Sequence, residues 1–121
     1  MDTRRVLVIE DETSAREALE NLLTEEGYVV RTAPSGQEGL DCYDEFLPDV
    51  VVCDYYLPDI DGLQVLRRMR AGPNPLVRFV MVTAGMSGAD DEKALRSEAD
   101  AFLGKPIDLR VLNRVLQGQT V

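Results

Sequence analysis

Five short apolar runs, at residues 6–9, 28–30, 50–53, 79–82 and 101–103, recur along the chain with an amphipathic stretch after each. The runs are rich in β-branched residues and mostly lack polar alternation, the pattern of strands covered on both faces. The intervening segments are spaced as helices. Ala15, Ala18, Leu19, Leu22 and Leu23 fall on one helical face, and Gly27 supplies a natural stop. Leu40 and Tyr43 mark a second helix, while Leu63, Leu66 and Met69 mark a third that ends near Gly72 and Pro73. A weaker fourth lies around 91–99, where Ala94, Leu95 and Ala99 are the apolar residues. Leu109, Leu112, Val115 and Leu116 form the last, with Asp108 as its N-cap.

Five strand-helix units joined by short connections predict a parallel sheet with helices on both sides. Runs one, three and four are four residues long and the other two are three, which places strands two and five at the edges. The expected architecture is a flavodoxin-like (βα)5 doubly wound α/β sheet of order 2-1-3-4-5. At 121 residues, with no linker, repeat or low-complexity segment, one domain over 1–121 is expected. The apolar runs are far too short to span a membrane. Arg4 and Arg5 do not open a signal peptide, because Glu10, Asp11 and Glu12 interrupt the apolar run after them. A cytoplasmic domain is therefore expected.

Composition narrows the chemistry. There is no histidine, which removes Ser-His-Asp triads, His-ligated zinc and haem, and a histidine phosphoacceptor. With 22 acidic and 13 basic residues the formal net charge is -9, which argues against direct nucleic-acid binding and against docking on an anionic membrane. Cys42 and Cys53 are too few for a disulfide framework and are expected to be small buried hydrophobes in a reducing compartment.

In open α/β sheets, sites lie beyond the carboxyl ends of the strands. Glu10, Asp11 and Glu12 come after the first strand, Asp54 after the third, Thr83 ends the fourth, and Lys105-Pro106 comes after the fifth past Gly104. Each residue has an ordinary reading taken alone. The acids suit a helix N-terminus, Asp54 a turn before Pro58, Thr83 a strand, and Lys105 a solvated surface. Together they are hard to explain as accidents at one sheet edge. Two like charges about 4 Å apart cost on the order of 4 kcal/mol at an effective dielectric near 20. A cluster of Glu10, Asp11 and Asp54 therefore either raises a pKa or holds a cation. Oxygen ligands alone favour a hard ion, with partly hydrated Mg²⁺ foremost.

Four segments carry a resemblance over nearly the whole chain: VLVIEDE (6–12), VVVCDYYLPDIDG (50–62), MVTAG (81–85) and AFLGKP (101–106). In this order they resemble the receiver domain of two-component response regulators. The resemblance implies that Asp54 accepts a phosphoryl group from a phosphohistidine on a separate histidine kinase or histidine phosphotransfer protein. It implies that Asp11, Asp54 and the backbone carbonyl of Tyr56 ligate Mg²⁺, with Glu10 acting through water. Lys105 would pair with the phosphoryl group, the Thr83 hydroxyl would bond one of its oxygens, and the backbone N–H groups of Tyr56 and Ala84 would complete the cradle. Thr83 and Phe102 would switch, altering the surface of the fourth helix, fifth strand and fifth helix toward a downstream effector or fused output domain. The alternative for Phe102 is an edge-strand core aromatic. The resemblance also implies a cis bond before Pro106.

Some positions depart from the commonest pattern. Glu10 replaces a more frequent Asp, Leu57 a frequent Met, and Phe102 lacks a tyrosine hydroxyl. Tyr56 is bulky and Gly85 bare where the family admits attacking water, so these two are expected to set the phosphoryl lifetime. A haloacid-dehalogenase-type phosphatase would want a second Asp at position 56, and a flavodoxin-like cofactor binder a Ser/Thr/Gly-rich loop to cradle phosphate in place of Glu-Asp-Glu. A degenerate receiver, binding partners without phosphorylation, is disfavoured by the intact Asp54, Thr83 and Lys105. The chain ends soon after the fifth helix, so no effector is expected within it. The cognate kinase and a homodimer through the fourth-helix to fifth-helix face stay open.

Overall fold

A computed structural model describes residues 4–85 and 89–118. The elements alternate as β1 (Arg5–Ile9), α1 (Thr13–Glu25), β2 (Val29–Ala33), α2 (Gly36–Phe46), β3 (Val50–Asp54), α3 (Gly62–Arg70), β4 (Arg78–Thr83), α4 (Ala89–Glu98), β5 (Ala101–Gly104) and α5 (Leu109–Leu116). All pairings are parallel, in the order β2-β1-β3-β4-β5. The sheet order expected from run length is the one observed.

Alternate residues of each central strand enter different cores, which explains why the runs are apolar without a break. Leu7 and Ile9 of β1, with Val51 and Cys53 of β3, face α2, α3 and α4 through Tyr43, Phe46, Leu66, Met69 and Leu95. Val6, Val8, Val50 and Val52 face α1 and α5 through Leu19, Leu23, Leu112, Val115 and Leu116. The edges depart from this pattern. Val29 of β2 is exposed and Arg31 points outward, its guanidinium 5.2 Å from the centre of the Phe46 ring. β2 also starts one residue later than its apolar run and continues to Ala33, because pairing with β1 carries the polar Arg31 and Thr32 along. On α1, Leu19 and Leu23 are buried while Ala18 and Leu22 are exposed, so the apolar face is narrower than its spacing predicts. Cys53 is fully buried, but Cys42 is only half-buried, and both are free thiols.

Helix starts are set by side chains. Glu12, Ser35, Asp61 and Asp108 accept hydrogen bonds from backbone N–H groups in the first turns of α1, α2, α3 and α5. Gly27, with φ 99°, closes α1 as expected, its N–H donating to the Thr24 carbonyl. The weakly patterned fourth helix exists but is thinly anchored. Among its described residues Leu95 alone is fully buried, with Ala94 partly so.

The loop between β3 and α3 is held from several sides. Both carboxylate oxygens of Asp59 accept from the Gly36 and Gln37 N–H groups at the start of α2, at 2.9 and 2.8 Å. The Gly62 N–H donates to the Tyr55 carbonyl at 2.8 Å. A Cβ on Gly62 would lie 2.9 Å from the Asp54 carbonyl oxygen, 2.9 Å from the Tyr55 Cα and 2.7 Å from the Met81 sulfur. Two of those neighbours are backbone and cannot swing aside. Gly62→Ala is therefore expected to lower stability by about 1–3 kcal/mol in urea unfolding. An unchanged midpoint would show that the loop yields at no cost.

Candidate functional site

Parallel pairing brings four strand ends to one edge. The register Ile9↔Cys53 sets Glu10 level with Asp54 across β1 and β3, and Thr83↔Gly104 sets Lys105 beyond the end of β4. The Lys105 N–H donates to the Thr83 carbonyl at 3.0 Å, and the Lys105–Pro106 bond is cis. Glu10 is 3% exposed, Asp54 7% and Thr83 2%, so three polar side chains sit in the floor of the site.

Lys105 Nζ donates to Glu10 Oε1 and to Asp54 Oδ2, each at 2.7 Å. The other oxygen of Glu10 accepts from the Glu12 N–H at 3.0 Å, and Asp54 Oδ1 faces the Tyr56 N–H at 3.4 Å. The exposed Asp11 completes a group with Glu10 and Asp54 in which one carboxylate oxygen from each lies within 4.8 Å of the others. Three carboxylates and one ammonium sum to -2. An oxygen-only donor set of that charge fits a hard divalent cation. Glu12 stands apart, its side chain accepting from the Ala15 N–H as the cap of α1.

The two buried carboxyls titrate in opposite directions. Burial pushes Asp54 up, Glu10 adds to the rise, and the hydrogen bond and charge of Lys105 oppose it without cancelling it. Burial would also raise Glu10, but the Lys105 hydrogen bond, the Glu12 N–H and the Lys105 charge together hold it below the usual range. Lys105 is pushed up: burial opposes the rise, but hydrogen bonds to both carboxylates outweigh it.

The remaining expected residues surround this core. The Thr83 hydroxyl donates to the Gly85 carbonyl at 3.0 Å and accepts from the Gly85 N–H at 3.2 Å, so its own loop engages it. Ala84 comes directly after β4 and is exposed. Phe102 is half-buried against the core on the α4 side, with the Arg96 guanidinium 4.5 Å from its ring centre. Three neighbours of the site had no signal in the sequence. Tyr55 donates from its hydroxyl to Asp91 Oδ2 on α4, and Asp59 ties the loop to α2. A tyrosine next to an aspartate in a motif reads as core packing, and one acid among several on α4 or in the loop reads as solvated surface. Cys53 is a smaller case: its thiol, pushed well up by burial and so kept protonated, donates to the Asp54 carbonyl.

These directions set a pH dependence in metal-free buffer. Below its ordinary value of 3.8 Asp54 is protonated folded and unfolded alike; above it, ionisation costs the native state. Asp54→Asn is therefore expected to be more stable than wild type at neutral pH, with the gain fading as pH falls toward 3.8. Glu10 has the opposite sign. Its stabilisation is present above 4.5 and is lost as pH falls through its lowered value. Glu10→Gln should be less stable at neutral pH and approach wild type in acid. Urea midpoints across pH check both signs.

Comparison with known proteins agrees with this geometry. Residues 6–117 match the family described as the response regulator receiver domain. The transcriptional regulatory protein AfsQ1 of Streptomyces coelicolor is 41% identical over 108 residues, covering 89% of this chain and 47% of that protein. The transcriptional regulatory protein TrcR of Mycobacterium tuberculosis is 38% identical over 114 residues, covering 94% and 44%. The chain thus spans about half the length of these curated relatives. Among solved structures, a CheY-like response regulator receiver domain protein from Methanospirillum hungatei superposes with a TM-score of 0.86 at 27% identity, covering 97% of this chain and 93% of that one. The chemotaxis protein CheY4 of Vibrio cholerae gives 0.87 at 25% identity, covering 98% and 99%. With its sheet order, its acid cluster and its bridging lysine, this chain belongs to the response regulator receiver domain family.

Proposed function

We propose that the chain acts as one phospho-acceptor domain, in which Asp54 takes a phosphoryl group from a phosphohistidine on a histidine kinase or histidine phosphotransfer protein. The observation that carries this reading is the Lys105 ammonium, 2.7 Å from both Glu10 and Asp54 at the carboxyl edge of the sheet. In the transfer, an Asp54 oxygen forms a bond to phosphorus as the N–P bond breaks, and the electron pair of that bond leaves with the partner's imidazole. Such a reaction needs positioning and charge rather than further covalent help.

Each residue has a task that its surroundings support. Lys105 reaches Asp54 already and would pair with the phosphoryl oxygens. The Tyr56 N–H faces Asp54, and the Ala84 N–H lies just past β4 as a second donor. For Thr83 to bond a phosphoryl oxygen, its hydroxyl must leave the Gly85 carbonyl, which releases a contact just past β4. Asp11, Asp54 and the Tyr56 carbonyl would hold Mg²⁺, with Glu10 reaching it through water. When bound, Mg²⁺ supplies charge that offsets the transferring group. Phosphorylation adds roughly -1.5 to -2 charges if it ionises like a hydroxyl phosphate. Thr83 and Phe102 would pass that change to the α4-β5-α5 surface and on to an effector or output domain. The bulky Tyr56 and the bare Gly85 would govern how long the phosphoryl group survives.

A groove of about 270 Å³ supports a protein donor. It starts at Glu10 and Lys105 and runs between Leu19 and Leu22 of α1 on one side and Ile107 with Leu109, the first residue of α5, on the other. A partner helix seated there would bring its phosphohistidine to Asp54. A cytoplasmic location accords with such partners, and among the described residues no helix is long and apolar enough to cross a membrane.

Incubation with Mg²⁺ and acetyl phosphate, read by intact mass, should add one phosphoryl group to wild type and none to Asp54→Asn. Equal labelling of the two would overturn Asp54 as the acceptor, and no label on wild type would leave a phosphorylation-independent interaction module as the better reading. Excess Mg²⁺ should also raise the melting temperature of wild type, because a ligand bound by the native state alone stabilises it. The same shift in Asp11→Ala would count against the assigned metal ligands.

A further inference from the structure

Helix α4 is joined to the acceptor loop by a side chain that the transfer reaction does not use. Tyr55, next to Asp54 in the chain, is 8% exposed and donates its hydroxyl hydrogen to Asp91 Oδ2 in the first turn of α4. Its ring meets the Tyr56 ring edge to face, with centroids 4.8 Å apart and planes at 89°. Such contacts favour one relative orientation over others. Tyr56 is itself 50% exposed, and its backbone N–H lies 3.4 Å from Asp54 Oδ1. The buried Tyr55 ring is thus the fixed partner and the exposed Tyr56 ring the adjustable one. Asp91 determines where the fixed partner sits.

The tie has weight because α4 has few others. Among its described residues only Leu95 is fully buried, and Arg96 over Phe102 and Arg67 with Glu98 are contacts at exposed side chains. The loop beneath Tyr55, by contrast, is pinned by Asp59 to α2 and by Gly62 to α3. A displacement of α4 would therefore act on the Tyr55 hydroxyl rather than on the loop backbone.

We propose that Tyr55 and Asp91 are positioning residues that lengthen the phosphoryl lifetime by holding the Tyr56 ring at the rim of the acceptor site, where it obstructs water. This rests on the reading of Asp54 as the acceptor. In the reaction obstructed, a water oxygen bonds to phosphorus and the Asp54–phosphorus bond breaks. Its electron pair returns to the carboxylate, and the water's proton leaves with inorganic phosphate.

The test loads the protein with acetyl phosphate and Mg²⁺, removes the donor, and tracks loss of the phosphoryl group by intact mass. Tyr55→Phe and Asp91→Ala are each expected to decay about threefold faster than wild type, a change that loss of one hydrogen bond can impose. Asp91→Asn keeps an acceptor oxygen and should decay at the wild-type rate. In a Tyr56→Ala background, Tyr55→Phe should change nothing further, a result that general loosening of the fold would not give. Wild-type decay in Tyr55→Phe, or an equal acceleration with and without the Tyr56 ring, would overturn the inference alone. Absence of label on wild type would overturn the acceptor reading and this inference with it.

Discussion

One ammonium between two buried carboxylates organises the working end of this protein. Lys105 reaches Glu10 and Asp54 at 2.7 Å each, from a strand that is adjacent to neither β1 nor β3. Without it, two carboxylates would share a low-dielectric floor with no compensating charge, an arrangement that buried acids avoid by taking up protons. The lysine does not neutralise the site. A charge of -2 remains over Glu10, Asp11, Asp54 and Lys105, a donor set that suits a divalent cation.

The rest of the fold keeps these groups in register and anchors one part, α4, with fewer apolar contacts than the others. β1, β3 and β4 are buried on both faces, so their ends are fixed by packing on two cores. The loop after β3 is tied to α2 by Asp59 and closed against α3 by Gly62. Helix α4 lacks a comparable apolar face and depends on polar and ring contacts at Asp91, Arg96 and Glu98. Such contacts are individually weak and easily exchanged, so a change of charge at Asp54 has α4 as its softest neighbour. Thr83 fits that division: its hydroxyl is committed to Gly85 on the segment leading to α4, not to the rigid strands.

Much of this is legible in the order of residues alone. The continuous apolar runs reflect burial on two faces, and Asp108 caps the last helix as its place before Leu109 implies. Glu10, Asp54, Thr83 and Lys105 are locatable because each sits at the end of a run, and parallel strands must end on one edge. The shorter run marks β2 as an edge, but which of its residues are left open is not legible. Val29 has the same side chain as the buried valines of β1 and β3, yet it is exposed because a sheet edge has no neighbour to cover it. The α1 face looks continuous, but Leu22 and Ala18 are left open where α1 and α5 diverge to form the groove.

The sequence by itself determined the fold class, the strand order and the identities of the charged groups, because these depend on periodicity and on the residue types placed just past each strand. Tertiary structure decided how those charges pair and which way each is pushed. It decided that Glu10 is held low while Asp54 is held high, since that depends on how one lysine and a few N–H groups are divided between them. It also decided that Tyr55 reaches Asp91, 36 residues away along the chain. Local patterns record which face of an element is apolar. They carry no record of which polar atoms meet when five strand ends and their loops close on one another.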